Sequence, residues 1–142
     1  RKLNKGSIRL TEPNVLNSIK RFVKRIKENK KKTVRFINDA LRKKKTIFLY
    51  GASTKGNTVL QYYGINNKQI PYAAERSKEK WGKYTIGSGI EIISEKKARK
   101  LNPDYFFVTP WGFIKEFIKR EKKWLKNKGT FILPFPKFKL IK

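Results

Sequence analysis

Cysteine, histidine and methionine are all missing from the 142 residues. Without the first two, the chain cannot make disulfides, thiolate or imidazole metal sites, cysteine nucleophiles or Ser-His-Asp triads. Any chemistry within it must use other groups. The lack of methionine, with arginine in first place, sets the expectation that the chain is part of something longer. Long apolar runs are missing too. None approaches the ~20 residues of a membrane-spanning helix, and the first residues lack the apolar core and small-residue cleavage site of a secretion signal. A cytoplasmic protein with no membrane partner is expected.

Acidic residues are scarce, 10 against 37 Lys plus Arg, which leaves a net charge of +27. Such an excess attracts phosphates and releases their counterions, so a basic nucleic-acid-binding module is one reading. The cations are spread through nearly every segment beside many Asn and Ile, the pattern of an AT-rich coding sequence filling tolerant surface positions. On that reading nucleic-acid binding is only nonspecific, and anionic ligands are favoured in either case. With 38% hydrophobic and 33% charged residues the chain is otherwise ordinary for a globular protein, long enough for one domain and an appended helical segment.

Three parts follow from the patterning. Residues 1–12 read as an extended linker or strand, with Ile8-Arg9-Leu10 having nothing local to pack on. Residues 13–45 read as two amphipathic helices. Val15, Leu16, Ile19, Phe22, Val23 and Ile26 carry the first, and Val34, Phe36, Ile37, Ala40 and Leu41 carry the second after a polar interruption at Glu28 to Lys32. Residues 46–142 then alternate strands with helices. Ile47-Phe48-Leu49-Tyr50 is a buried parallel strand, followed by strands near 70–74, 90–93, 105–108 and 130–133 and by helices at 58–63, 94–101 and 111–126. The fold class is α/β: a Rossmann-like open parallel sheet of about five strands flanked by helices, ordered 3-2-1-4-5 with the Tyr50 strand central, plus the N-terminal helical segment.

Chemistry concentrates in the turn after the Tyr50 strand, Gly51-Ala52-Ser53-Thr54-Lys55-Gly56-Asn57-Thr58. Gly51 lets the chain leave the strand sharply and Gly56 lets the helix approach the sheet. The free amides at the helix start point toward an anion. Ser53, Thr54 and Asn57 add donors, and Lys55 adds a mobile cation. The turn matches neither familiar glycine motif, because the dinucleotide pattern wants glycine at 53 and the P-loop wants Lys after the glycine. Either it grips a phosphate or diphosphate, or it is a tight turn whose Ser and Thr merely cap the helix. Glu75, at the end of the second strand, either accepts ribose hydroxyls or pairs with Arg76, Lys80 or Lys83. Trp111 either stacks on a base or sugar or belongs to the core, and Tyr84 lies in a Gly-rich loop with no evident core role.

The run Tyr50 to Thr58, with Glu75-Arg76, Lys80, Gly82, Lys83, Tyr84 and Gly87, Pro103-Asp104 ahead of Trp111, and the closing Gly129-Thr130-Phe131-Ile132-Leu133-Pro134-Phe135-Pro136, resembles the C-terminal domain of the sugar C-methyltransferase family. The resemblance spans essentially the whole chain. It departs at Ile86 and Glu91, where the family usually has proline, and at Gly112, where histidine or asparagine commonly follows the tryptophan. It implies a domain that helps hold a nucleotide-linked keto-sugar, while N-terminal zinc-binding and central S-adenosylmethionine-binding domains, absent here, supply metal, methyl donor and catalytic base. On that likeness Ser53, Lys55 and Asn57 grip the diphosphate of the nucleotide sugar, and Glu75, Lys80 and Tyr84 line the nucleotide or sugar pocket; Gly51, Thr54, Gly56, Arg76 and Trp111 are the further substrate-binding candidates. This chain would bind no cofactor and be silent alone. A small dinucleotide-binding regulator is a third reading.

Overall fold

The computed structural model describes residues 12–142. The extended lead-in expected for residues 1–12 lies outside the described residues, apart from Glu12, the first residue of helix α1 (Glu12–Arg42). This is one helix of 31 residues where two were expected. The polar stretch at Glu28 to Lys32 interrupts the apolar pattern but holds neither glycine nor proline, and Lys and Glu sustain a helix well. The stretch changes the surroundings of the helix and leaves its backbone intact. Before it Leu16, Ile19, Phe22 and Val23 are exposed; after it Ile37 and Ala40 are buried in the core. Asn29, at the changeover, is itself buried, donating to the Pro136 carbonyl at 3.0 Å and accepting from the Phe138 N–H at 3.2 Å.

Six strands follow: β1 (Ile47–Tyr50), β2 (Tyr72–Glu75), β3 (Glu91–Ser94), β4 (Tyr105–Val108), β5 (Thr130–Leu133) and β6 (Lys139–Ile141). They form one mostly parallel sheet in the order β3-β2-β1-β4-β5-β6. The parallel part has the expected order with β1 central. The sixth strand was not foreseen: it pairs antiparallel with β5, Ile132 opposite Leu140. Three residues beginning with lysine after a proline-rich turn carry almost no strand signal, and only the open edge of β5 makes them a strand.

Strand alternation sorts the core into two layers. Ile47 and Leu49 face α1 and helix α2 (Thr54–Tyr63), packing with Ile37, Leu60, Phe107 and Ile132. Phe48 and Tyr50 face the other side, against Ala98 of helix α3 (Glu95–Leu101), Phe117 of α4 (Ile114–Arg120) and Trp124 of α5 (Lys122–Lys126). The single helix expected over 111–126 is thus a 3-10 turn, Trp111–Phe113, and two short helices. The break falls at Glu121, whose backbone leaves helical geometry (φ −99°, ψ 22°) while its carboxylate is drawn inward to Arg99 and Tyr50.

Candidate functional site

Gly51 ends β1 in the left-handed region (φ +84°) and gives its N–H to the Ala74 carbonyl at 2.8 Å. A side chain at 51 would be strained by that φ and would meet the Pro110 ring at 3.0 Å, so glycine is required for the turn. Ala52 is then clamped from both sides. Its N–H donates to Glu75 Oε2 at 3.0 Å, and its carbonyl accepts from Lys80 Nζ at 2.9 Å. Ser53 caps α2, its Oγ accepting from the Gly56 N–H at 3.0 Å. The amides of Ser53, Thr54 and Lys55 have no acceptor among the described residues, and the side chains of Thr54 and Lys55 are exposed. The capping alternative therefore holds for Ser53, and three donors remain without acceptors beside the Lys55 side chain.

Gly56 allows α2 to sit directly on the end of β4, since an added Cβ would lie 2.4 Å from Thr109 Oγ1. Thr109 is 1% exposed and its hydroxyl has no hydrogen-bond partner among the described residues. A buried hydroxyl without a partner is uncommon, and here it lines the same cavity as the free amides. Sequence reasoning missed this residue. Its place immediately after the β4 strand, at the mouth of an open sheet, was the available signal.

Two cavities flank the ridge formed by Ser53, Pro110 and Phe113. One, of about 450 Å³, is walled by Thr54, Lys55, Thr109 and Trp111 and holds one cation and no carboxylate. The other, of about 270 Å³, lies between the Gly51 turn and α4 and contains Arg76, Lys80 and Arg120 with Glu75, Glu95 and Glu116. Trp111 is half-buried, leaning on Phe135 with ring centroids 5.4 Å apart, and still lines the first cavity. Asn57 is half-buried in the first turn of α2 and lines neither. Tyr84 is exposed and bridges Glu91 at the amino end of β3, whereas both cavities open at the carboxyl ends of the strands. The structure does not bring it to them.

Glu75 has a firm structural engagement. Besides Ala52, the Arg76 and Ser77 amides donate to its Oε1 at 2.8 and 3.1 Å, and Lys80 stands 3.7 Å from Oε2. Burial pushes this carboxyl up, but the amides of Ser77, Ala52 and Arg76 with the Lys80 charge outweigh it, and the net shift is downward. A group whose pKa is lowered on folding contributes stability above its unfolded value, about 4.3 for glutamate, and loses it as pH falls through the folded value. Glu75→Gln is therefore expected to lower stability by about 2 kcal/mol at pH 7, the worth of charge-assisted hydrogen bonds. Thermal melts should show the gap to the unsubstituted protein narrowing as pH falls below about 4.3; a gap that stays the same size as the carboxyl protonates would contradict the assignment.

Behind the second cavity runs a chain of ion pairs that sequence reasoning also missed. Arg120 reaches Glu95 at 2.8 Å and Glu116, Arg99 reaches Glu95 at 2.9 Å and the buried Glu121 at 2.6 Å, and Tyr50 donates its hydroxyl to Glu121 at 2.7 Å. Burial, then the Glu121 hydrogen bond and charge, drive the Tyr50 phenol far above its usual range. The hydrogen bonds that Arg99 donates to Glu121 outweigh burial in holding it charged. These residues come from β1, α3, α4 and the α4–α5 junction, so no local motif announces them.

Residues 9–136 match the C-methyltransferase C-terminal domain family. The chain belongs to that family. It is also 37% identical over 97 residues to the C-methyltransferase NovU of Streptomyces niveus, a match that takes in 68% of this chain and 23% of that protein. The chain thus spans about a quarter of the length of this relative. Within the C-methyltransferase C-terminal domain, Pro103 and Asp104 serve the fold at the opposite end of the sheet. The Pro103 carbonyl accepts from Trp124 Nε1 at 2.8 Å, and Asp104 accepts from the Thr46 N–H at 2.9 Å.

Proposed function

We propose that this chain is the substrate-holding domain of a cytoplasmic C-methyltransferase acting on a nucleotide-linked keto-sugar, with the diphosphate seated at the amino end of α2. The observation that carries this reading is the trio of unengaged amides at Ser53, Thr54 and Lys55, residues that line a cavity with a lysine and no carboxylate. Such a site suits an anion on two counts, oriented N–H donors and an uncompensated positive charge. Among the described residues no helix is long and apolar enough to cross a membrane.

The same charge argues about the methyl donor. S-adenosylmethionine presents a sulfonium cation at the reacting centre, and the residues around the Lys55 cavity do not fit one. With no cysteine or histidine, the chain does not fit a thiolate or imidazole zinc site either. Donor, zinc and catalytic base are assigned to other domains of such an enzyme, which are this chain's proposed partners. Its own contribution to a proton abstraction and methyl transfer is to bind and orient the sugar nucleotide, which lowers the entropic part of the barrier.

Calorimetry with inorganic pyrophosphate and nucleoside diphosphates at about 150 mM salt tests the reading, because exposed charge attraction is largely screened there. Lys55→Ala is expected to weaken binding about tenfold, while Lys43→Ala, before β1 at the other end of the sheet, leaves it unchanged. Equal losses from both variants, equal binding by Lys55→Ala and the unsubstituted chain, or no binding at all would defeat it.

A further inference from the structure

The two cavities differ in kind. The Lys55 cavity is positively charged, but the one between the Gly51 turn and α4 has three cations balanced by three carboxylates. A compensated wall gives no net attraction to phosphate, and Glu75, Glu95 and Glu116 oppose an anion directly. What it offers is hydrogen bonding. Glu116 uses Oε1 toward Arg120 and Arg76, the latter 3.6 Å away, while its Oε2 has no partner among the described residues. The Arg76 guanidinium makes no hydrogen bond there either. An open acceptor and an open donor group stand side by side at the rim.

Above them is Phe113, 62% exposed although large and apolar. It lies on the ridge shared by both cavities, with its ring 6.3 Å from that of Phe117. An exposed aromatic face beside paired donors and acceptors is the complement of a flat heterocycle: the face stacks and the edge is read by hydrogen bonds. The volume, about 270 Å³, leaves room for a planar ring system. The rim is also held in place from behind. Arg120, which grips Glu116, is fixed through Glu95 and Arg99 to the buried Glu121, so little ordering is left to pay on binding.

We infer that this charge-balanced cavity takes the heterocyclic base of the nucleotide, stacked on Phe113 with its edge read by Arg76 and Glu116. The inference rests on the phosphate cradle proposed above, since the shared ridge of Ser53, Pro110 and Phe113 joins the two compartments. It gives Phe113 and Glu116, which no motif marked, the specificity-determining part.

The test compares inorganic pyrophosphate with the diphosphates of uridine, thymidine, guanosine, adenosine and cytidine by calorimetry on the 142-residue chain at about 150 mM salt. At least one nucleoside diphosphate is expected to bind tenfold or more tightly than pyrophosphate. Phe113→Ala and Phe113→Leu should each remove about tenfold of that advantage, the usual worth of an aromatic stack, and Phe113→Tyr should retain it. Pyrophosphate affinity should stay within about twofold in all three. Glu116→Gln should change which base binds best. Thermal melts on the exposed Phe113 variants verify folding. The inference is overturned if no nucleoside diphosphate surpasses pyrophosphate, if the Phe113 variants keep the full advantage, or if they weaken pyrophosphate equally. Loss of pyrophosphate binding with nucleoside diphosphate binding retained would remove the cradle and leave the base pocket standing; binding of neither removes both.

Discussion

Replacing Glu121 with alanine is expected to lower the free energy of unfolding by about 3 kcal/mol, read as a fall in the urea midpoint at unchanged slope. Glu121 is 2% exposed and carries the innermost carboxylate of the described residues. Its removal leaves the Tyr50 hydroxyl, deep against Phe106 and Phe131, without an acceptor, and takes from Arg99 its bidentate partner. Breaking a buried pair from one side costs about 3–5 kcal/mol because the surviving charge is stranded. The Arg99 side chain is 40% exposed and can recover water, so the lower end of that range applies here. Glu116→Ala, at the exposed end of the same chain of ion pairs, should cost under about 1 kcal/mol. Equal effects for the two would mean that burial does not grade the network.

Gly56→Ala should weaken pyrophosphate binding on the order of tenfold. Helix propensity alone predicts a gain of about 1 kcal/mol in stability for this change. Steric contact reverses the sign. The new Cβ would stand 2.4 Å from Thr109 Oγ1 and 3.1 Å from Ser53 Oγ, so the first turn of α2 must lift off β4 and its cap must distort. Overpacking of this kind costs about 1–3 kcal/mol and a lost cap about 1 more, which exceeds the propensity gain. Because the approach below 3.0 Å is to the Thr109 hydroxyl alone, Thr109→Ala in the same chain should restore much of the binding. Pyrophosphate affinity and thermal midpoint for the single and double variants decide the matter. A double variant no better than Gly56→Ala would show that the contact with Thr109 is not the cause.

The extended parts of the fold were readable because their signals are local. The run Ile47 to Tyr50, apolar throughout and ended by glycine, could hardly be anything but a buried strand, and strands alternating with helices leave few topologies open. The turn at Gly51 to Asn57 was equally legible, since glycines at both ends of a strand-to-helix passage serve few other purposes. The misses have a common origin. The polar stretch Glu28 to Lys32 changes the surroundings of α1 because Asn29 docks on Pro136 and Phe138 more than a hundred residues away. The strand Lys139–Ile141 exists because β5 offers an open edge. The helix expected over 111–126 breaks where Glu121 turns inward.

At the site the division is the same. Sequence reasoning found Ser53, Thr54, Lys55 and Gly56 as a unit, since they are consecutive. It left Glu75 open between ligand contact and ion pair, whereas the folded chain spends its carboxylate on three backbone amides of the Gly51 and Arg76 turns. Thr109 and the proposed Phe113 and Glu116 were not marked as site residues, because a threonine after a strand and a phenylalanine in a helical stripe look like ordinary packing.

By itself the sequence determined the α/β class, the central place of the Tyr50 strand and the glycine-bounded turn that follows it, because hydrophobic period and glycine placement act over a few residues. Only the tertiary structure decided which charges are neutralised and which are left open. A carboxylate and a guanidinium far apart in the chain cancel only when the sheet brings β1, β2 and α4 to one mouth, and that cancellation separates a charge-balanced cavity from one whose only charged wall residue is a lysine.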